Sequence, residues 1–383
     1  SRMSSYLNFD ISKEDLDITI KFNVYEDLSK ANESDKYEYI YPNFRINKSL
    51  ITTLDSIGSL NYQVSGAQRK YETNKTEQLL INDFIFSSKS YFSNFGFKND
   101  YDLSFKNTNK EGKNSSTYKD NLSSSFYSLL NFNSSIPLIK KTKNYEKEFT
   151  PKLSLFLSPN KSENIIGLDR KIDNINVFQK NRLGLSESLE GGQSVTLGAE
   201  YNVNQINGSN ILKINLAQIY RDNNDNNLPT TSTMNNKISD LFGDVKLNTN
   251  KYLNFEYNFS LDNDLETLNY NMIKSTLSVN NFVTTFEFLE ENNEIGNASY
   301  LLNETSLALN SYSKILFRER KNKKTDLREF YNLMYQYEND CLVASLEYNK
   351  DYYSDRDLKP NEELFFSLTI TPLSTFNTPS LSK

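Results

Sequence analysis

The chain has 383 residues, enough for one large domain or two ordinary ones, and its net charge is −6. Such a charge gives no overall basic field, so nucleic acid is not an expected partner. Histidine is absent and there is one cysteine, which excludes an internal disulfide and argues against zinc or copper sites and against histidine-based catalysis. We therefore expect no enzyme activity and no cofactor, and the lack of any run of about 18 apolar residues excludes a helical membrane span.

Alternation of apolar and polar residues is the dominant pattern along the chain. Apolar residues at every second position indicate β-strands with two different faces. In chain order, the clearest runs are Leu16–Val24, Leu153–Leu157, Val195–Val203, Leu253–Leu261, Leu342–Tyr348 and Leu364–Ile370. Most of these runs approach the length of a tilted strand that crosses a membrane, about 10 residues, whereas strands of soluble sandwiches are usually about 5–6 residues long.

The predicted fold class is all-β: a large antiparallel transmembrane β-barrel of the outer-membrane type, with no substantial helix. Roughly sixteen to twenty strands fit the chain, and we expect one barrel domain over residues 1–383. The mean hydropathy of −0.65 agrees with a barrel, because half of each strand faces a polar lumen. A soluble β-sandwich, an adhesin or a β-solenoid would also alternate, so these folds remain alternatives.

Clusters of Asn, Asp, Ser, Lys and Gly separate the alternating runs and predict turns. Asn107–Ser116 and Asp222–Asn236 are two such clusters. Pro42, Pro137 and Pro151 lie beside strand runs. Because proline cannot donate a hydrogen bond to a neighbouring strand, we expect these three to mark edges, bulges or strand starts.

Aromatic residues collect at predicted strand ends, where the two interfaces of a membrane would hold them. The alternative is that aromatic side chains suit any strand. The residues concerned are Tyr37, Tyr39, Tyr41, Tyr91, Phe92, Tyr352 and Tyr353.

The most informative segment is Asn181–Gln193, which reads NRLGLSESLEGGQ and precedes a strand with two distinct faces. Within it, Glu190 is followed by Gly191 and Gly192, two residues that can take positive φ. One interpretation is a charged contact in the lumen, with Arg182 as the partner of Glu190. The other is a tight turn that simply needs glycine, and both can hold at once.

Five blocks in this order resemble the outer-membrane LPS-assembly proteins, also called the organic solvent tolerance protein A family. The segment just described, extended to Tyr201, is the most specific of them. The other four blocks are Tyr25–Lys30 followed by Ser34–Pro42, Ser134–Lys141 followed by Phe149–Pro159, Ile238–Leu247, and Tyr335–Leu373. One block alone would be a weak signal, whereas five in the expected order are a strong one.

The resemblance implies a barrel that receives lipopolysaccharide (LPS) from a periplasmic bridge protein and inserts it into the outer leaflet of the outer membrane. It also implies a lipoprotein plug in the lumen, the barrel-assembly machinery and outer-membrane lipids as partners, and no catalytic residues. Family members begin with a signal peptide and a periplasmic jellyroll domain, so we expect this chain to be a processed or truncated piece that lacks both of these and some of the first barrel strands. The alternatives are another outer-membrane barrel, such as a porin or a gated uptake transporter, or a secreted adhesin.

Cys341 is expected in a periplasmic turn. If the last strand, Glu362–Pro372, ends in the periplasm, Ser354–Asn361 is an outer loop and Glu338–Cys341 is a periplasmic turn. The resemblance implies a disulfide between this cysteine and the missing N-terminal region, although many members carry a Cys-Cys pair where this chain has Asp340-Cys341. The alternative is a small residue in a turn.

The same count places the basic run Arg318–Asp326 at an outer hairpin tip. Basic side chains there could contact LPS phosphates, since Lys and Arg pair well with phosphate. A solvated loop is the plainer alternative. The side chains concerned are Arg318, Arg320, Lys321, Lys323 and Lys324.

Overall fold

The computed structural model describes residues 2–30, 32–72, 74–168, 170–230, 233–249, 252–292, 297–352, 361–370, 374–377 and 381–382. The helices that lie completely within these ranges are a four-residue α-helix, α1 (Glu33–Lys36), and a single 3₁₀ turn (Thr53–Ser56). No helix there is long and apolar enough to cross a bilayer. The all-β prediction is confirmed.

The strands follow one another along the chain. They are β1 (Arg2–Lys13), β2 (Leu16–Asp27), β3 (Tyr37–Leu50), β4 (Gly58–Tyr71), β5 (Lys75–Ser88), β6 (Tyr91–Phe92), β7 (Lys98–Lys113), β8 (Ser123–Ser135), β9 (Leu138–Lys141), β10 (Tyr145–Ser158), β11 (Gly192–Gln205), β12 (Asn210–Arg221), β13 (Leu241–Thr249), β14 (Leu253–Leu261), β15 (Leu268–Val279), β16 (Phe282–Glu291), β17 (Ser299–Ala308), β18 (Ser313–Asn322), β19 (Arg328–Glu338), β20 (Leu342–Asp351), β21 (Asn361–Ile370), β22 (Ser374–Asn377) and β23 (Leu381–Ser382).

All 23 described strands belong to one antiparallel sheet. Four of them are short pieces of two to four residues, namely β6, β9, β22 and β23. The other 19 lie within the predicted range of sixteen to twenty, and each pairs with the next long strand along the chain. Within the described ranges, β1 pairs only with β2.

The two faces of the sheet differ in chemistry. In β11, Thr196 is 1 % exposed on one face, whereas Leu197 is 46 % exposed on the other. The face of Thr196, called the inner face below, carries mainly polar groups. The outer face carries large apolar groups that solvent reaches in the isolated chain, such as Leu346 and Phe366. An apolar outside and a polar inside are what a membrane barrel requires.

The sheet curves around a long connection between β10 and β11. This segment, residues 159–168 and 170–191, is called loop 159–191. Lys106 of β7 donates a hydrogen bond to its Ser186 carbonyl at 2.9 Å, and its Lys171 lies 3.6 Å from Glu291 of β16. One loop therefore touches the inner face over a wide arc, which indicates a barrel wall wrapped around it.

Loop lengths distinguish the two ends of the sheet. The two longest connections, loop 159–191 and the β12–β13 segment called loop 222–240 (its residues 222–230 and 233–240 are described), lie at the same end. Turns at the opposite end include residues 14–15, 206–209 and 339–341. Since outer-membrane barrels have long outer loops and short periplasmic turns, we assign the long-loop end to the cell exterior.

The C-terminal strands correct one assumption. β21 is not the last strand, because β22 and β23 follow it and pair with it. The assignment of Cys341 to the periplasmic end therefore rests on loop lengths and not on where the chain stops. The predicted outer loop lies outside the described residues except for Asn361, which begins β21. Tyr353 is likewise not described.

The prolines lie where strand pairing is interrupted. Pro42 is at a register shift between β3 and both of its neighbours, and Pro137 separates β8 from β9. Pro151 lies opposite that break, where β10 changes its partner from β9 to β8. These positions confirm the expectation, because each proline occupies a site where no ladder hydrogen bond is needed.

One predicted turn is wrong. Asn107–Ser116 was expected to be a turn, yet β7 continues to Lys113. The inner-face side chains of this part of β7 bind loop 159–191: Thr108 Oγ1 donates to the Glu187 carbonyl at 2.6 Å. These long-range contacts override the local turn preference of the Asn- and Lys-rich sequence. The second predicted turn lies within loop 222–240.

Candidate functional site

Two loops fold inward and form a small hydrophobic core against the inner face. The core joins loop 159–191 to loop 222–240 and to strands β12 and β13. Its buried members are Ile165, Ile172, Val177, Leu183, Leu185, Ala217, Ile219, Leu228, Met234 and Phe242. Burial of these side chains fixes the outer loops inside the wall instead of leaving them in solvent.

A buried group of three charges ties loop 159–191 to the wall. Arg182 holds Glu190 with two hydrogen bonds, from Nε to Oε2 at 2.8 Å and from Nη2 to Oε1 at 2.7 Å. Arg221, at the end of β12, donates to the same Oε1 from the other side. Arg182 and Glu190 are 3 % and 4 % exposed. The contact between Arg182 and Glu190 that the sequence left open is therefore present, with a second arginine added to it.

Neighbouring side chains make further contacts with Arg182. Its guanidinium also donates to Ser194 at 2.8 Å and to Thr196 at 3.3 Å, both on β11, and lies 4.8 Å from the centre of the Phe156 ring. Burial alone would raise the pKa of Glu190, but the two guanidiniums outweigh it and lower this pKa to about 2. Glu190 is therefore a permanent anion and not a proton carrier.

Gly191 and Gly192 serve different purposes. A Cβ on Gly191 would lie 2.4 Å from the Ser162 backbone nitrogen and 2.5 Å from the Asn160 carbonyl oxygen, so the site lacks room for any side chain. Gly192 has open space around it but adopts φ +81°. The expectation of positive φ thus fits Gly192 only, whereas Gly191 is required by close backbone packing.

Asn181 closes a turn within the same loop. Its side chain donates to the Leu185 carbonyl at 2.8 Å and accepts from the Leu185 amide at 2.9 Å. Gly184, inside this turn, adopts φ +62°. The start of the NRLG motif therefore shapes the backbone that places Arg182 opposite Glu190.

Two buried charges of the site escaped the sequence analysis. The alternation along β12 places Arg221 on the inner face, but nothing in the local sequence links it to Glu190. Asp240, fully buried before β13, accepts hydrogen bonds from Ser260 at 2.6 Å, Thr233 at 2.8 Å and Asn269 at 3.0 Å. Burial raises the pKa of Asp240 above its ordinary value, and the hydrogen bonds, which act to lower this pKa, offset only part of the effect. In the sequence, the block that contains Asp240, ISDLFGDVKL, is marked only by its resemblance to the LPS-assembly proteins.

The basic run is not one loop. β18 extends to Asn322, so Arg318, Arg320 and Lys321 lie on the strand, and their predicted place at a hairpin tip is wrong. Each pairs with an acidic group: Arg318 with Glu304 at 2.7 Å, Arg320 with Glu329 at 2.7 Å, and Lys321 with Asp326 at 2.6 Å. The two arginines pair with residues of neighbouring strands, whereas Lys321 pairs with a residue of the following turn.

Only Lys323 and Lys324 of the predicted basic residues lie in the turn between β18 and β19. The Lys324 ammonium donates to the Asn297 side chain. A contact between these two lysines and LPS phosphates stays a prediction.

Cys341 lies in the turn between β19 and β20, at the end assigned to the periplasm. The cysteine is exposed and unpaired. Its amide donates to the Asn339 side chain at 3.1 Å, as does that of Leu342 at 2.9 Å. These bonds fix the turn and leave the thiol free to face solvent.

The family model of the LPS transport system D matches residues 5–340. A comparison with curated proteins finds no match.

Among solved structures, a mutant ferric enterobactin receptor of Pseudomonas aeruginosa is 11 % identical with a TM-score of 0.43, covering 97 % of this chain and 70 % of the receptor. The siderophore receptor PirA of Acinetobacter baumannii is 9 % identical with a TM-score of 0.40, covering 100 % of this chain and 70 % of the receptor. A likeness at this level adds nothing to the assignment. The family match and the sheet decide it: the chain belongs to the LPS transport system D family and is an outer-membrane β-barrel protein of LPS transport and assembly.

Proposed function

We propose that LPS travels along the part of the inner face that the two inward loops leave uncovered, on its way to the outer leaflet. The family match over residues 5–340 carries the proposal. The glycan and phosphates of LPS need a polar path, and its acyl chains must pass sideways into lipid. Moving a lipid between two environments breaks no covalent bond, so we propose no catalytic residue.

The geometry supports a division of the barrel wall into a part that contacts the inward loops and a part that is open. Loop 159–191 contacts the inner face from Lys106 of β7 to Glu291 of β16, and both loops pack against β12 and β13. Further along the sheet, β17 to β20 and the first residues of β16 line an open depression of about 740 Å³, with Glu304, Arg318, Asn332, Glu347 and Asn349 among its lining residues. Charged and amide groups there offer both donors and acceptors to a sugar or phosphate.

We propose that a lipoprotein plug binds in the same open region. A periplasmic bridge protein would deliver LPS at the short-turn end, and the barrel-assembly machinery would fold the chain into the membrane. Membership of the family supports the proposal of these three partners. A plug and a passing LPS molecule would both face the inner side of β17 to β20.

Photo-crosslinking at neighbouring positions of opposite parity tests the path. A benzophenone amino acid at Met334 or Glu347, on the inner face, is expected to capture LPS in cells that actively export it. The same group at Tyr335 or Leu346, on the outer face, should capture phospholipid and several-fold less LPS. Labelling is read by immunoblotting for LPS on the purified barrel.

The matched pairs make the outcome decisive. Met334 and Tyr335 are adjacent on β19, so their depth in the membrane is nearly the same and the direction of the side chain is the main difference. Equal LPS capture at both would contradict an inner path. Correct assembly with no LPS capture at Met334 or Glu347 would favour a porin-like role.

For Cys341 we propose a disulfide to a periplasmic N-terminal segment of the protein. The exposed thiol in a short turn supports this, because disulfides persist in the oxidising periplasm. We expect a membrane-impermeant maleimide to label Cys341 only after the outer membrane is permeabilised and disulfides are reduced. A Ser311→Cys variant, in another turn of the same end, serves as the accessibility control. Efficient labelling of Cys341 in intact cells would overturn both the sidedness and the bridge.

A further inference from the structure

A groove of about 520 Å³ lies on the outer face of the sheet, across β3, β4, β5 and β7. Its apolar lining includes Phe44, Leu80 and Leu122. In the register, Gly66 pairs with Phe44 on one side and with Leu80 on the other. A Cβ at Gly66 would lie 2.8 Å from the Phe44 ring, so the missing side chain lets this ring lie close to the wall. The outer face is therefore recessed at this point.

The groove opens towards lipid at the end assigned to the cell exterior. Leu80 shares the outer face of β5 with Phe84, and these two side chains are 40 % and 43 % exposed in the isolated chain. Connections alternate between the two ends of an antiparallel sheet, so β5 begins, at Lys75, at the same end as loop 159–191. Leu80 is nearer to this end than Phe84. The lipid that reaches the groove therefore belongs to the outer leaflet.

A row of amide side chains lies next to the apolar floor, on its exterior side. Gln68 of β4 and Gln78 of β5 are register partners, both are exposed, and Gln78 donates to Gln68 at 3.4 Å. Asn109 of β7, the partner of Leu80, adds a third amide to the lining. Carboxamides both donate and accept hydrogen bonds, which is what sugar hydroxyls require. The rim of the groove therefore suits a glycan.

Two lysines form the next row towards the exterior. Lys70 of β4 and Lys113 of β7 are both register partners of Thr76 on β5, and both are exposed. From the rise of a strand, this row lies about 13 Å along the strands from Leu80. The lining also contains one carboxylate, Glu111, which the two lysines outnumber. Lysine pairs well with phosphate, so this row suits an anionic headgroup.

We propose that this groove binds one LPS molecule of the outer leaflet. An acyl chain would lie on Phe44 and Leu80, a sugar would contact the amide row, and phosphate would contact Lys70 and Lys113. The apolar, amide and cationic rows follow one another in the order in which an inserted LPS molecule presents its acyl chains and its phosphorylated glycan. The choice of LPS as the lipid rests on the proposed function, whereas the site itself is on the opposite face from the open depression at β17 to β20.

Photo-crosslinking in proteoliposomes tests the proposal. A benzophenone amino acid replaces Leu80 in the full chain, and purified LPS is mixed with phosphatidylethanolamine and phosphatidylglycerol at rising mole fractions. The matched position is Leu157, which is also on the outer face, at the exterior end of β10, and is 41 % exposed. We expect LPS capture at Leu80 to saturate and to exceed capture at Leu157 at least fivefold at the lowest LPS fraction. Capture at Leu157 should rise in proportion to the LPS present.

Two double variants separate the contacts of the headgroup. With the probe at position 80, the pair Gln68→Leu and Gln78→Leu should lower LPS capture several-fold. The pair Lys70→Gln and Lys113→Gln should do the same. LPS stripped of its phosphates should be captured to the same extent with and without the two lysine changes, because the lysines then have no anion to bind.

Gln193→Leu is the control, because it removes an exposed amide from the outer face of β11 and should leave capture at position 80 unchanged. The substituted side chains are exposed, and heat-modifiable mobility confirms that each variant is folded. Capture at Leu80 that rises only in proportion to LPS, or unchanged capture in either double variant, would overturn the proposal. Since LPS is supplied within the bilayer, the experiment needs no delivery along the inner face. A negative result here leaves the inner path standing, whereas loss of LPS capture at Met334 or Glu347 in cells counts against the path alone.

Discussion

Replacing Glu190 with alanine is expected to destabilise the barrel by about 3–5 kcal/mol, the range seen when one partner of a buried ion pair is removed. The change would leave Arg182 and Arg221 buried side by side without their shared anion. Loop 159–191 should then leave the wall, and less of the protein should reach the outer membrane in its heat-modifiable form. The urea midpoint in detergent measures the loss.

The pH dependence of this effect has a defined sign. The pKa of Glu190 is lowered from 4.5 to about 2 in the folded chain, so the unfolded chain binds more protons between these values. The contribution of the triad is complete above pH 4.5 and is lost as the pH falls towards 2. A Glu190→Gln variant should lack this part of the acid dependence.

Glu304→Ala is the control for the Glu190 experiment. Glu304 also pairs with an arginine on the inner face, but the side chains of Arg318 and Glu304 are 55 % and 47 % exposed. Solvent screens such a pair, so its loss should cost no more than about 1 kcal/mol. If the two alanine variants lose the same stability, the buried triad is not the anchor that its geometry indicates.

Replacing Gly191 with alanine is expected to impair assembly far more than replacing Gly192. The new methyl group would meet backbone atoms at 2.4–2.6 Å, and backbone atoms cannot move aside as a flexible side chain can. We expect a cost of at least about 1–3 kcal/mol, as for other overpacked sites, and loss of the heat-modifiable form. Protease resistance in cells provides an independent measurement.

Gly192→Ala should cost only about 1 kcal/mol, because its neighbourhood is empty and the strain comes from positive φ alone. Gly208→Ala, at φ +90° in a short periplasmic turn with open space, is the matched control for that strain. A Gly191→Ala variant that assembles as well as these two would show that the backbone contact with Asn160 and Ser162 can relax.

Sequence alone determined the fold class and the direction of the strand faces. Each run shows its period of two locally. Ser194 and Thr196 could therefore be assigned to one face, and Leu197 to the other, before any strand pairing was known. An approximate strand number and the expectation of prolines at strand edges and breaks followed in the same way, whereas the NRLG and EGG motifs were singled out by the family resemblance and by the pair of glycines. They depend on residues that are neighbours along the chain.

Only the tertiary structure decided what the inner face holds. Arg221 and Glu190 are 31 positions apart and meet because β12 lies beside β11, a fact with no local signature. The extension of β7 through Asn107 and the distinct need for Gly191 have the same origin, since both depend on contacts with loop 159–191. Local preference determines which face a side chain takes, whereas the pairing of distant strands and loops determines what it meets there.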